Sequence, residues 1–270
     1  MSSLRAGALD LVGNRLRQTI NGAPTTYTYN ARDEKLTESG AGALTGTVKS
    51  HYDANGNLTG DSTGTTQYRY DLRNKMIQAT VNGVTVNYVY DQDGLQVRRT
   101  LGTESESYLQ DKQNPTGYSQ VLEQWRNGTL YRSFLLGQSI LAQADGSTVR
   151  YLLADGHTDT RALLDATGQP ITGQLLSYDT FGKVISGQTS ILTPIQYAMQ
   201  WIDNATGLSF NRARWYDLAG RWTQRDPRLN PVGDLVSVQR ISPERPENQE
   251  RQGALKKIRF ILCHEILSLD

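Results

Sequence analysis

Three histidines, one cysteine and scattered aspartates carry whatever chemistry this 270-residue chain offers. His264-Glu265 opens like the helix of a zinc hydrolase, but that motif needs a second histidine four residues on, and position 268 is Ser. With histidines only at 51, 157 and 264, no zinc site is expected, and His157 in "DGHTDTR" reads as an exposed turn residue. Cys263 and His264 are adjacent, and adjacent side chains on a helix do not face each other, which rules out a thiol–imidazole pair. Asp203 and Asp217 are candidates for an acid–base pair, yet their spacing sets no mutual geometry and each sits beside turn residues. Asp226-Pro227 is read as a turn ending a strand over 221–224 rather than as part of a protease site, because Pro cannot extend a sheet ladder. Arg212, Arg214, Arg221 and Arg225 form a basic cluster. Strand alternation would put Arg212 and Arg214 on one face, where cross-strand carboxylates are the plain expectation. No phosphate-binding glycine loop is present, since the 25 glycines are dispersed as turn residues are. The expectation is therefore no catalytic residue, no cofactor, no metal and no enzyme activity.

The residues that do recur belong to a repeat. In "NGVTVNYVYDQDG" Val84, Val86, Tyr88 and Tyr90 alternate with Thr85, Asn87 and Val89, the period of a strand with one covered face. Asn82-Gly83 before it suits a type I′ hairpin, and "MIQATV" upstream reads as the partner strand. Asp91 and Gly94 then start a second turn. The unit returns at Tyr29 with Asn30, at Tyr52-Asp53, at Tyr70-Asp71, at Tyr90-Asp91, at Tyr178-Asp179 and at Tyr216-Asp217, and near the start with Leu9 before Asp10. Positions 10, 30, 53, 71 and 91 are separated by 20, 23, 18 and 20 residues. A repeat of that length holds one β-hairpin, which is marginal alone and must stack on its neighbours into a long sheet. Tyr would cover the sheet and Asp would cap the turn; seven dispersed copies cannot line one catalytic site.

Bulk properties agree with a sheet-built body. Lys plus Arg number 28 against 27 Asp plus Glu, a formal charge of +1, which gives no general drive toward nucleic acid or anionic membrane. Hydrophobic residues make up 37% and the mean hydropathy is −0.54, with 14 Tyr to 4 Phe, favouring half-wet strand surfaces over a large dry core. One cysteine permits no intramolecular disulfide framework. No stretch approaches the length of a membrane span, and the N-terminus lacks the apolar core of a signal peptide.

The Tyr-Asp repeats, with "YDANGNLTG", resemble the RHS/YD-repeat family. The later part resembles it more specifically. "YLQDKQNPTGYSQVLEQ", "YLLADGHTDTRALLDATGQPI" and "YDTFGKVI" look like the segments leading to the family's core domain. Asp203, Thr206-Gly207-Leu208, Arg212-Ala213-Arg214, Trp215-Tyr216-Asp217, Gly220-Arg221 and Arg225-Asp226-Pro227 follow the first half of the RHS-associated core. The resemblance implies a spiralling β-sheet shell with the core as a plug, enclosing a variable C-terminal toxin that in many members is freed by aspartate-dependent self-cleavage. It further implies roles in interbacterial competition, insecticidal toxin complexes or, in animal relatives, cell adhesion. After Pro227 the second half of the core is missing, so no catalytic aspartate is carried over.

The expected organisation is a YD-repeat hairpin array over 1–107, a continuation of the shell over 108–192, a partial core over 193–227 and a divergent tail over 228–270. In the tail, "SPERPENQERQG" reads as a polar linker. Leu255, Ile258, Leu262, Ile266 and Leu269 then take helical spacing. Either a short helix docks elsewhere or the tail comes from a shifted reading frame, the latter being preferred. A repeat at Leu9 with no cap before it suggests a piece of a longer shell. The fold class expected is thus all-β, with repeated antiparallel hairpins forming part of a spiralling shell. Its partners would be the rest of that shell and a C-terminal toxin, and its location secreted or at the cell surface within an intact parent, or cytoplasmic if expressed alone. The alternative reading is a cell-surface or carbohydrate-binding adhesion module that uses the tyrosine face.

Overall fold

The computed structural model describes residues 5–20, 22–40, 46–114, 117–186 and 190–225. Asp226, Pro227 and the helical spacing in the tail lie outside these residues. Seventeen strands make one antiparallel sheet. They are β1 (Arg5–Leu9), β2 (Arg15–Ile20), β3 (Ala23–Tyr29), β4 (Lys35–Gly40), β5 (Thr47–Tyr52), β6 (Leu58–Asp61), β7 (Thr66–Tyr70), β8 (Met76–Val81) and β9 (Val84–Tyr90). They continue as β10 (Gln96–Leu101), β11 (Glu104–Asp111), β12 (Gln120–Arg126), β13 (Thr129–Leu136), β14 (Ile140–Asp145), β15 (Thr148–Ala154), β16 (Thr160–Leu164) and β17 (Pro170–Leu175). Each strand pairs with the next in sequence, from β1 with β2 through to β16 with β17. The sheet runs without a break across residues 107 and 108, inside β11. It is an all-β meander, not closed into a barrel, of the spiralling-shell type.

The turns explain why it curls. After β7, the Asp71 carboxylate accepts the backbone N–H groups of Arg73 (2.9 Å) and Lys75 (2.8 Å). The Asp71 N–H bonds to the Lys75 carbonyl, and the Asn74 N–H returns to the Asp71 carbonyl. This is a type I turn followed by one residue in the left-handed region, the loop that builds a G1 bulge. That fourth residue is Asn74 with φ 58°. The strand register accordingly slips between Arg69 and Tyr70. The cap's bond from the N–H four residues on, and the two backbone bonds, recur at Asp10, Asn30, Asp53 and Asp91, with Gly13, Asp33, Gly56 and Gly94 at positive φ. Every one of these turns follows an odd-numbered strand, so all lie along one edge of the sheet. A bulge repeated on one edge adds twist and bends each pair the same way. As a result the Arg15 guanidinium, from β2, stacks 4.7 Å from the ring of Phe181, beyond β17. Asn82 (φ 50°) and Gly83 (φ 80°) make the expected positive-φ pair on the opposite edge, and Asn127-Gly128 makes another.

Two further copies of the turn carry no tyrosine. Asp155 takes the N–H groups of His157 and Asp159, and Asp165 those of Thr167 and Gln169. Their fourth residues, Thr158 and Gly168, have φ 68° and 82°. Asp179 after β17 and Asp217 complete the set.

The tyrosines stitch one hairpin to the one before. Tyr29 donates its hydroxyl to the Arg15 carbonyl (2.8 Å), Tyr52 to Lys35 (3.1 Å), Tyr70 to Leu58 (2.8 Å), Tyr90 to Met76 (2.8 Å) and Tyr178 to Thr160 (2.8 Å). In each case the acceptor lies five residues after the capping residue of the preceding turn on that edge. In β11 Gln110 does the same with its amide, reaching the Gln96 carbonyl at 2.9 Å. Along the turn edge, Asn14 and Asn57, both buried, bond their own Asp10 and Asp53 and also reach Asp33 and Asn74 of the next turn. The ring of each tyrosine is thereby packed and its hydroxyl bonded rather than wet.

Two outcomes test this wall. Asp71→Ala removes two backbone bonds to a charged acceptor and is expected to cost about 1–3 kcal/mol, whereas Asp71→Asn, the residue nature uses at 30, should cost only a few tenths; paired denaturant titrations would show it. Burial raises the phenol pKa of the ladder tyrosines Tyr29, Tyr52, Tyr70, Tyr90 and Tyr178, to about 12 at Tyr52. A folded-state pKa above the unfolded value near 10 gives stability that is complete below about pH 10. That stability is lost as pH rises through the folded value. The buried phenols should therefore ionise together with unfolding above pH ~10. Phenolate absorbance appearing at lower pH with the circular dichroism unchanged would contradict the ladder.

Candidate functional site: the plug seat

Residues 190–225 turn back into the concave face. They contain a 3₁₀ turn (Tyr197–Met199) and a small antiparallel sheet of β18 (Trp201–Asp203), β19 (Leu208–Asn211), β20 (Arg214–Asp217) and β21 (Arg221–Trp222). Leu208 and the fully buried Trp215 pack against Tyr68, Met76, Ala79, Val86 and Tyr88 of β7–β9. Trp215 stands 4.5 Å from the Tyr88 ring and donates its indole N–H to the Tyr90 hydroxyl at 2.9 Å. Phe210 lies 4.9 Å from Trp215. A second apolar contact joins Phe134, Ile140, Leu152 and Leu163 of the wall to Ile195, with Trp201 against Phe134 at 5.7 Å.

Between these contacts sits a buried ionic network. Asp203, 3% exposed, takes both Nε (2.9 Å) and Nη2 (3.0 Å) of Arg99, the Tyr88 hydroxyl (2.8 Å) and the Ala205 N–H (3.0 Å). Arg99 also lies 3.6 Å from Glu106, which binds the Arg126 guanidinium at 2.9 Å and the Tyr108 hydroxyl at 3.1 Å. Desolvation alone would lower the Arg99 pKa, but the hydrogen bonds and charge of Asp203 override it and hold the guanidinium above its usual value. This is a bidentate, fully engaged carboxylate, committed to holding β18 on β9 and β10 rather than poised as an acid or base.

The rest of the plug is tied to the turn edge. The Thr223 carbonyl accepts the Leu58 N–H (2.8 Å), and Gln224 donates to the Asn74 carbonyl (2.7 Å) while accepting from the Trp215 N–H (2.8 Å). Arg221 lies over the Tyr29 ring at 4.7 Å and donates to the Asp33 carbonyl and Asn14. Gly220, at φ 102°, packs so close to Phe181 that a Cβ would lie 2.7 Å from its ring. Upstream, Arg132 and Gln143 both donate to the Leu192 carbonyl (3.0 and 2.9 Å), strapping the approach segment to β13 and β14.

The structure brings Gly207, Arg214, Tyr216, Asp217, Gly220 and Arg221 together in this plug, and leaves Tyr29, Tyr52, Asp53, Tyr70, Asp71, Tyr90, Asp91, Tyr178 and Asp179 distributed along the wall around it. Gly207 (φ 71°) closes the turn whose N–H groups bond the Asp203 carbonyl. Tyr216 meets Trp222 edge-on at 5.2 Å, and Asp217 caps its own turn through Ala219. Two expectations are corrected. Arg212 is not a strand residue: it occupies a β19–β20 hairpin turn at φ 59°. Arg212 lies over the Tyr118 ring (4.9 Å) and Arg214 over the Trp222 ring (4.1 Å), since guanidinium planes stack well on aromatic surface. The strand expected over 221–224 ends at Trp222, since Thr223 and Gln224 bond to the wall instead. Arg99 and Glu106 escaped sequence reading: β10 carries Arg98 beside Arg99 and β11 carries Glu104 beside Glu106, and nothing in either strand's sequence marks the buried member of each pair. Among the described residues no group of three or more His, Cys, Asp or Glu is arranged to hold a metal, and no helix is long and apolar enough to cross a membrane.

Removing one partner of the buried pair leaves the other charge uncompensated. Arg99→Met is expected to destabilise by about 3–5 kcal/mol, and the double change Arg99→Met with Asp203→Leu to recover much of that loss. Thermal unfolding of the three proteins checks the coupling; equal losses in single and double variants would refute it.

The Teneurin YD-shell family model matches residues 10–240. The tRNA3(Ser)-specific nuclease WapA of Bacillus spizizenii is 27% identical over 249 residues, covering 84% of this chain and 10% of that protein. The tRNA nuclease WapA of Bacillus subtilis is 27% identical over 251 residues, with the same shares. The chain thus spans about a tenth of the length of the curated relatives it matches. Among solved structures, the crystal structure of TcdB2-TccC3-Cdc42 aligns with a TM-score of 0.52 at 14% identity, over 89% of this chain and 16% of that one, a likeness of fold. A bulged hairpin wall carrying Tyr-Asp turns, matched along most of its length, places this chain in the Teneurin YD-shell family of RHS/YD-repeat proteins.

Proposed function

We propose that this chain is wall and plug of a shell that, within an intact parent protein, encloses and delivers a C-terminal effector polypeptide, and that it contributes no catalysis of its own. The seated plug carries the reading. Arg99 and Asp203 fix a small sheet inside the concave face, and Arg221 and Gly220 tie it to both Tyr29 and Phe181, so that one element spans the two ends of the curl. A wall whose backbone groups are paired strand to strand, and whose concave face is sealed at one place, keeps water and proteases from whatever lies within. The WapA relatives are named as tRNA nucleases, and we assign any such toxic activity to parts of a parent beyond this stretch. Asp203, already engaged by Arg99 and Tyr88, supports the non-catalytic role. The parent would work outside its producing cell, secreted or at the surface, in interbacterial competition, without binding nucleic acid through this wall. The adhesion reading would need free tyrosine ring faces, and at Tyr88 and Tyr90 Trp215 covers the one ring and bonds the hydroxyl of the other.

The test is protease protection in the intact parent. Digestion by a broad-specificity protease is expected to spare the polypeptide downstream of residue 225 in the wild type and to degrade it in Asp203→Ala. Degradation at the rate of the isolated polypeptide in the wild type would defeat the enclosure reading.

A further inference from the structure

A cleft lies between the start of β10, β11 and β12 on the wall side and β18–β19 of the plug, open to solvent on one side, with a cavity volume of about 50 Å³. Its walls are largely apolar and aromatic, including Tyr108, Val121, Trp201 and Phe210. Two polar groups in it are unsettled. Arg212 sits in a strained left-handed turn, a conformation that costs energy for a residue with a side chain. Its Nε donates to the Ser119 carbonyl at 3.2 Å and its Nη1 reaches Gln200 at 3.4 Å, but no carboxylate neutralises it among the described residues. Desolvation lowers its pKa, in contrast to Arg99. Gln96, 3% exposed, has a buried Oε1 with no donor. Buried polar groups are ordinarily satisfied, and a cation with spare donors lining the same cleft as an unpaired amide oxygen marks a place for a ligand.

We infer that this cleft binds an acidic residue of a peptide, its carboxylate on Arg212 and its adjoining backbone amide on the Gln96 side chain. The planar guanidinium matches a carboxylate through two parallel N–H bonds. A primary amide side chain offers one donor and one acceptor, the complement of a peptide group. The aromatic lining suits the carbon atoms of a peptide, and a single cation is a poor host for a doubly charged phosphate, which is recognised by clusters of arginines. The site goes beyond enclosure: it is present in this chain whatever the shell contains.

The test uses the full chain and three probes: N-acetyl-aspartate N-methylamide, its asparagine counterpart and inorganic phosphate, followed by ligand-observed magnetic resonance. The aspartate probe is expected to bind in the millimolar range, typical for so small a ligand. It should bind at least tenfold more tightly than either other probe, and at least tenfold more weakly to Arg212→Gln. Arg214→Gln, outside the cleft, serves as the control and should bind as wild type. If Arg212→Gln proves misfolded, Gln96→Leu supplies the second variant, with a several-fold loss expected. Equal binding of the aspartate and asparagine probes, tighter binding of phosphate, no binding at tens of millimolar, or unchanged binding in a folded Arg212→Gln would each overturn the proposal.

Discussion

Everything in this molecule follows from one left-handed residue per hairpin. The capping Asp or Asn pulls two backbone N–H groups onto its side chain, and the chain then needs one position at positive φ before it can re-enter the sheet. That requirement selects Gly, Asn or Asp, inserts an extra residue into one strand of each pair, and adds twist in a constant sense. Because the bulges, the Asp165 copy after β16 excepted, share an edge, their bends accumulate, and a meander that would otherwise be an open ribbon acquires a concave side. The tyrosine ladder then fixes the spacing of successive turns by bonding each to the carbonyl five residues beyond the previous cap.

A concave side needs filling, and the plug fills it by a mixture of apolar and ionic contacts. Trp215 and Leu208 complete a dry cluster with Tyr68, Met76 and Val86, while Asp203, Arg99, Glu106 and Arg126 form a chain of alternating charge through the adjoining layer. Buried ionic groups add little net stability compared with apolar packing. Their geometric demand is strict, however, and it determines which strands the plug rests on. The buried glutamines at 124, 143, 174 and 224 extend this polar interior, which reconciles a low mean hydropathy with a well-covered inner face.

Much of the wall was readable in the residues because its rule is local. Asn82-Gly83 and Tyr90-Asp91 announce their turns within four positions, and the period of two in Val84–Tyr90 shows the covered face. Asp155 and Asp165 are less legible because the residues before the cap are Ala154 and Leu164, so the tyrosine marker is absent although the turn chemistry is intact. The plug was recognisable only as a motif. Its seat depends on Arg99 meeting Asp203 at a sequence separation of 104, and no spacing rule links them. Arg212 was misplaced on a strand for the same reason that Thr158 is unexpected at positive φ: both conformations are imposed by neighbours rather than chosen by the residue.

The strictly sequential strand order has a consequence in time. A wall in which every strand pairs with its predecessor involves only short loop closures, so hairpins can form and add one by one as the chain is synthesised. The plug cannot take part until residues 201–224 have been made, when its contacts reach back across 115 residues from Asp203 to Tyr88 and 153 from Thr223 to Tyr70. Between those two moments the concave face of β7–β9 stands bare, with Tyr68, Met76 and Val86 awaiting Trp215. The nascent wall is therefore at its stickiest just before it is sealed, and the order of synthesis itself sets the length of that exposure.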